Sequence, residues 1–370
     1  MTGGTWPDRD AVLAAAGAAG RNAADSDASG RIAPETVEAL TAAGFPGCFV
    51  PERWGGAGAT LDAVTGAVAA VGEGCASAAW IASLWAYNGR FGAYLPAEGQ
   101  DQVWAKGPDT RLVSSMVAAG VEAKPAGGGW TVSGSWLYVS GVEFADWALV
   151  SSALPRAGDR SVRVFAVPRD SFTHRDTWST LGMRATGSHT LVVDEAFVPE
   201  HRTFLWDDMR RGILPGPGTN AQCAPLFSVN GLTFAAPILG AARGALRLAG
   251  EHLAGKPSAP RAAARESSLI AFARAAGEID AANLLLSRVA ETADLGRLGE
   301  GLAERSHRDS TLAVRLLAGA ADRLFDVTGT RGQATSHGMQ RVWRDVHAAA
   351  SHAALQFEPA ALGYARRMLS

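Results

Sequence analysis

The residues of this chain best suited to chemistry are a serine next to a glycine, Ser140–Gly141, and two histidines near the end, His347 and His352. A hydroxyl in a dry pocket makes a strong hydrogen bond, and an imidazole with an unperturbed pKa near ~6.5 exchanges protons at neutral pH. Brought to one buried site, they would form a catalytic pair. The serine lies in Trp130–Trp147, WTVSGSWLYVSGVEFADW, where apolar and polar residues alternate at period two between glycines, which predicts a strand pair. The histidines lie in Gln340–His352, QRVWRDVHAAASH, which reads as a helix. Five positions apart is about 140° around a helix of ~3.6 residues per turn, so the two rings point to different faces and only one can enter a shared pocket.

Composition narrows the partners. The chain has 370 residues, 47% of them hydrophobic, and a formal net charge of -2, enough for a large core and without a basic stripe or acidic tail. Small molecules are the expected partners, not nucleic acid. Cys48, Cys75 and Cys223 lie far apart with no CxxC or Cys/His cluster, so no metal site and no disulfide framework are expected, and a reducing cytoplasm fits. The N-terminus lacks a basic n-region and no apolar run reaches the ~18 residues of a membrane span, so neither secretion nor membrane insertion is expected.

The elements that must position these residues follow from periodicity. Alanine-rich amphipathic patterns at Ala11–Ala24, Pro34–Ala43, Leu61–Val71, Ala76–Gly92 and Glu98–Ala105 predict an N-terminal helical domain over 1–109. Short β-type runs spaced by Gly, Pro and Asp predict a central antiparallel β domain over 110–225. Long helical patterns at Val229–Leu253, Glu266–Thr292, Leu302–Val327 and Gln340–His352 predict a C-terminal four-helix bundle over 226–370. Several of these helices are apolar beyond one stripe, so burial against other subunits, as a homotetramer or homodimer, is expected. The class is α+β. The GGAG at Gly55–Gly58 follows a turn-like PERW and lacks the strand and GxGxxG spacing of a dinucleotide fingerprint, so it reads as a turn.

This order of elements, with VPERWGG near residue 50 and LGMRATGSHTLVVDEAFVP near residue 190, resembles the acyl-CoA dehydrogenase fold. GGGWTVSGSWLYVSGVEFADW and QRVWRDVHAAASH look most like the oxygenase components of two-component flavin-dependent monooxygenases. The resemblance implies a bound flavin. Tyr138, Val139 and Ser140 match the strand positions that line it, with the Ser140 hydroxyl near the flavin N5, where it would donate a hydrogen bond. Ser114 and Ser115 match the preceding strand, and Trp178 and the Arg184–Ser188 run match the strands that cover the flavin. Such oxygenases often carry a histidine at the end of the RD segment, which points to His352 in the pocket and leaves His347 at the surface. Asp345 is expected to cap or pair within the bundle. Substrate walls are expected from Trp85 and Tyr87 and from Phe227, Phe234 and Phe357.

A dehydrogenase of this fold needs a glutamate to take the α-proton of its thioester, and the position to which the family's RD pair assigns it falls on Ala353. The alternative location, Val229–Gly250, contains no acid. The resemblance therefore implies a monooxygenase that uses O2 and reduced flavin, FMN or FAD, delivered by a separate NAD(P)H-dependent flavin reductase. It would oxidise a small, aromatic secondary-metabolite substrate through a C4a-hydroperoxyflavin, with His352 taking and returning a proton. An FAD-dependent dehydrogenase, an N-oxygenase of an amino sugar or amine, and a non-catalytic relative are the alternatives. Two departures bear on this reading. Several oxygenases have a pocket histidine where this chain reads LWAYNGRFGAYLP, so Asn88 or Tyr87 takes that neighbourhood. In EHLAGKP, Glu251 replaces the arginine that grips the flavin pyrophosphate in the dehydrogenases, consistent with a flavin that comes and goes.

Overall fold

The computed structural model describes residues 6–156, 159–255, 262–297 and 299–370. The Lys256–Pro257 end of the EHLAGKP stretch lies outside the described residues. Six helices come first: α1 (Arg9–Arg21), α2 (Ala23–Ser29), α3 (Pro34–Ala42), α4 (Leu61–Gly72), α5 (Ala76–Gly92) and α6 (Ala97–Val103). Asp8 caps α1 by accepting from the Asp10 and Ala11 amides, and Thr60 caps α4 by accepting from Ala63 N–H. The GGAG segment is a turn, with Gly55 at φ +85° closing the 3-10 turn Glu52–Trp54.

Eight strands follow: β1 (Leu112–Ser115), β2 (Ala118–Ala126), β3 (Gly129–Val139), β4 (Trp147–Arg156), β5 (Asp159–Pro168), β6 (Thr173–Arg175), β7 (His189–Pro199) and β8 (Thr203–Leu205). They form two four-stranded sheets, ordered β1-β4-β5-β8 and β2-β3-β7-β6. Every pairing is antiparallel except β1 with β4, which is parallel. The two sheets share a core that includes Val139, Phe165 and Leu191. The fully buried Trp136 of β3 crosses it, its Nε1–H donating to the Ser151 carbonyl of the other sheet at 2.8 Å.

Two short helices, α7 (Trp206–Arg211) and α8 (Asn220–Cys223), lead into α9 (Leu226–Ala254), α10 (Ala262–Asp294), α11 (Leu302–Gly332), α12 (Gly338–Ala350) and α13 (Phe357–Leu369). The expected four-helix bundle is present, and α13 is added to it. Among the described residues, no helix is long and apolar enough to cross a membrane.

The helical layers are joined at specific points. Asp294, ending α10, accepts from the Leu61 and Asp62 amides at 2.8 and 3.0 Å, so a carboxylate from the bundle completes the N-terminus of α4. Pro237 sits inside α9 and cannot donate to the Thr233 carbonyl one turn earlier; Ser83 Oγ of α5 donates to that carbonyl instead, at 2.6 Å. This contact sets α5 beside the turn of α9 that carries Phe234. Farther along, α4 and α9 touch backbone to backbone, since a Cβ on Gly240 would lie 2.1 Å from the Ala69 carbonyl oxygen. A methyl there forces the helices apart.

Gly240→Ala should therefore destabilise the protein by on the order of 2–4 kcal/mol. Gly66→Ala, on α4 with open space around its Cβ, should stabilise it by up to about 1 kcal/mol through helix propensity. Chemical denaturation of the two variants beside wild type measures both, and equal stabilities would overturn the close-packing assignment.

Candidate active site

The site forms where the end of β3, the loop before β7, α5, α9 and the segment after α12 meet. At the end of β3 the backbone departs from regular pleating: the register with β7 shifts between Trp136 and Val139, and Tyr138 has φ +60°. A left-handed conformation at a non-glycine residue costs free energy and persists only where the surroundings enforce it. Here it turns the Tyr138 ring outward, 62% exposed, with the Trp178 ring edge-on at 6.3 Å. The two rings form an open aromatic shelf, while Val117, 48% exposed, stands opposite the neighbouring Leu137, whose amide donates to its carbonyl. Beyond the kink, Gly141 at φ +68° donates its amide to the Thr186 carbonyl at 2.8 Å, fixing Ser140 next to the loop before β7.

Ser140 is the centre of a polar chain. Its Oγ accepts from Trp80 Nε1–H at 3.2 Å and lies 2.7 Å from Ser188 Oγ, which in turn lies 2.6 Å from Thr186 Oγ1. Thr186 Oγ1 donates to the Met183 carbonyl at 2.9 Å. Met183, also left-handed at φ +54°, is held on its other side by the Asp345 carboxylate, which accepts its amide at 2.6 Å. Burial pushes the Asp345 carboxyl up to about 6, against the pull of the Met183 amide. Asp345 thus pairs as expected, but with the β domain, not within the bundle.

His352 lies across Trp80 from Ser140. Its ring stacks on Phe234 with centroids 3.9 Å apart and meets Trp80 edge-on at 5.7 Å. Burial pushes its pKa down to about 4, so the ring is neutral near pH 7. Its Nδ1 accepts from the Ala354 amide at 3.2 Å, capping the 3-10 turn Ala353–Leu355. The ring proton therefore resides on Nε2, which has no protein partner among the described residues. This corrects the sequence-based picture of an imidazole with an ordinary pKa ready to take a proton: apolar neighbours and the backbone cap make it a neutral donor. His347 faces the outside of the bundle, its Nε2 2.8 Å from Asp322 and its ring against Trp343.

Several other expected side chains are committed elsewhere. Asn88 is buried, its Nδ2 donating to the Leu112 carbonyl at 2.9 Å and its Oδ1 accepting from Ser114 Oγ at 2.7 Å, so it fastens β1 to α5. Ser115 donates to the Leu137 carbonyl and accepts from the Val117 amide, closing the β1–β2 turn. The Val139 side chain is fully buried in the β-domain core. Arg184 reaches α2, donating to the Asp27 carbonyl at 2.8 Å, in a 260 Å³ surface recess it shares with Arg31, Glu143 and His189. Trp178, by contrast, stays at the site: its ring edges Tyr138 while its Nε1–H donates to the Met183 carbonyl at 2.9 Å. Of the expected walls, only Phe234 stands at the site. Trp85 and Tyr87 are buried core residues, Tyr87 edge-on to Phe49, while Phe227 is half exposed and Phe357 lies beside Arg315.

Sequence reasoning missed Trp80 and the separate part of Thr186. The signal for Trp80 was available: an indole N–H in an otherwise apolar helix needs an acceptor. For Thr186 no signal existed, because its partners come from the loop's own folding.

The His352 environment has a pH signature. Its folded pKa of about 4 lies below the ordinary 6.5, so its contribution to stability is complete above about 6.5 and is lost as pH falls towards 4. Asp345 acts oppositely: folded pKa about 6 against 3.8, so its contribution is present below 3.8 and lost as pH rises through 6. His352→Asn, which keeps a capping acceptor, leaves only the second effect. Between about pH 7 and about pH 4.5 wild type should lose about 2 kcal/mol relative to this variant in denaturant unfolding. A pH-independent difference would mean that the ring is not held neutral.

The chain matches the family models "Acyl-CoA dehydrogenase, N-terminal domain" over residues 9–103 and "Acyl-CoA dehydrogenase, C-terminal domain" over residues 232–357. It is 32% identical over 349 residues to the flavin-dependent monooxygenase oxygenase subunit HsaA of Rhodococcus jostii, covering 90% of this chain and 91% of that protein. It is 32% identical over 360 residues to the FADH(2)-dependent resorcinol hydroxylase oxygenase component of a Rhizobium species, covering 91% and 88%. The solved structure of XiaF from a Streptomyces species, in complex with FADH2 and glycerol, superposes with a TM-score of 0.89 at 26% identity over 97% of this chain and 95% of that one. Full-length likeness at this identity, on this fold, makes the chain a member of the flavin-dependent monooxygenase oxygenase components built on the acyl-CoA dehydrogenase fold.

Proposed function

We propose that this protein is the oxygenase component of a two-component flavin monooxygenase. It takes reduced FMN or FAD from a separate NAD(P)H-dependent flavin reductase and uses O2 to hydroxylate a small aromatic compound. The observation that carries this reading is the convergence of Ser140 and His352 on either side of Trp80, beside an exposed apolar shelf. That shelf, Tyr138 and Trp178, suits a planar ring, and Ser140 offers that ring a hydroxyl with a lone pair not used by the protein. Reduced flavin, when bound, supplies the electrons that activate dioxygen, so that one oxygen atom enters the substrate and the other leaves as water.

The chain's own residues do the rest. Trp80, Phe234 and the ring of His352 pack together as apolar surface beside Ser140, which would exclude water from a ligand there and strengthen each hydrogen bond to it. His352 donates from Nε2 to a substrate oxygen and orients it. Neither dehydrogenase position for a catalytic glutamate is acidic, and Asp345 is occupied by the Met183 amide, which leaves α-proton abstraction without a base. We assign the structural units to 1–109, 110–225 and 226–370. We also propose a homotetramer or homodimer, supported by Ile270 and Leu284, 69% and 70% exposed on α10.

In stopped-flow absorbance, protein preloaded with reduced FMN or FAD and mixed with oxygenated buffer should reoxidise through a species whose spectrum is neither reduced nor oxidised flavin. Reoxidation at the free-flavin rate with both flavins would sink the proposal. With resorcinol as a probe substrate, His352→Ala should lower hydroxylated product by roughly 10- to 100-fold, the worth of one buried hydrogen bond to a charged or developing-charge oxygen, and release hydrogen peroxide instead.

A further inference from the structure

The chain of hydrogen bonds through Ser140 has a direction, fixed by its two ends. At one end the Trp80 indole N–H only donates; at the other the Met183 carbonyl only accepts. Between them lie three hydroxyls, Ser140, Ser188 and Thr186, each with one proton. All the links are made only if every proton points the same way. Thr186 gives its proton to the Met183 carbonyl, so it accepts from Ser188; Ser188, its proton spent, accepts from Ser140. Ser140 therefore accepts from Trp80, gives its own proton to Ser188, and has a lone pair left for anything that approaches.

The end of the chain is immobile. The Met183 carbonyl also accepts Trp178 Nε1–H at 2.9 Å, and the amide of the same residue donates to Asp345 at 2.6 Å. The carbonyl cannot turn away without breaking these bonds, and the direction of the whole chain is thereby held.

We propose that Trp80, Thr186 and Ser188 are positioning residues that make Ser140 a hydrogen-bond acceptor, and that this orientation selects reduced flavin over oxidised flavin. The inference rests on the flavin reading above and on N5 facing Ser140. Reduced flavin carries a hydrogen on N5 and donates it to the Ser140 lone pair. Oxidised flavin presents only a lone pair at N5. To bind it, Ser140 must withdraw its proton from Ser188 and leave that buried hydroxyl one bond short. This reverses the sense of the bond expected from the sequence, in which Ser140 donates.

The test is equilibrium binding, under anaerobic conditions, of reduced and oxidised FMN and FAD to the full-length protein and its variants. Wild type should prefer reduced flavin by roughly tenfold, the worth of about one hydrogen bond. Thr186→Val keeps the shape but removes the acceptor for Ser188. The Ser188 proton then turns to Ser140, which is freed to donate, and the preference should fall to near unity or invert. Thr186→Ser should restore it. Ser188→Ala should collapse the preference in the same direction and serves if Thr186→Val does not fold. Equal affinities in wild type, or a preference unchanged in both Thr186→Val and Ser188→Ala, would overturn the proposal while leaving the flavin reading intact. So would loss of affinity for both redox states in equal proportion, the sign of a merely structural role. Failure of wild type to bind either flavin in either state would instead overturn the flavin reading, and this inference with it.

Discussion

The hydrogen bond from the Met183 amide to the buried Asp345 carboxylate joins the β domain to the last bundle helix, and the rest of the site hangs from it. Around that bond the two segments lie in contact: a Cβ on Gly182 would fall 2.2 Å from the Arg344 carbonyl oxygen, and Arg344 itself reaches Asp27 on α2 at 2.6 Å. Three parts of the chain meet there. A carboxyl at about 6 beside a single buried amide is an expensive group to maintain, and removing its partner would leave it unsatisfied. The cost is offset by specificity of placement, because one peptide then presents a fixed carbonyl to Thr186 and Trp178.

The same loop explains why polar groups tolerate burial here. Tyr138 and Met183 both adopt left-handed backbone conformations within a few residues of Ser140 and Thr186, and both are held by side chains from outside their own segment. Strain of this kind is stable only when neighbours over-determine it. The neighbours are the rings of Trp178 and Trp80 and the carboxylate of Asp345, so aromatic packing and one buried charge together set the geometry of a row of hydroxyls.

How much of this was legible in the sequence depends on the range of the interaction. Helices and strands were readable because amphipathic period and turn residues are local, and the β domain's place between two helical regions followed from the change of period. The parallel pairing of β1 with β4 was not, since pairing across more than thirty residues leaves no local trace. Ser140 and His352 stood out through their resemblance to a known arrangement. Asn88, Ser115 and Arg184 have the right types at the right places, yet their hydrogen bonds go to backbone, to Ser114 or to α2, which only the folded chain decides. Conversely, the neutral tautomer of His352 depends on an amide two residues later, closed into a turn whose geometry no residue type encodes.

The site draws one residue or two from each of five elements: Trp80 from α5, Ser140 from the end of β3, Thr186 and Ser188 from the loop before β7, Phe234 from α9, and Asp345 and His352 from α12 and just beyond. No contiguous fragment carries it. Exchange of a whole domain with a relative would therefore replace some members of this polar row and leave the others, at positions far apart in the chain.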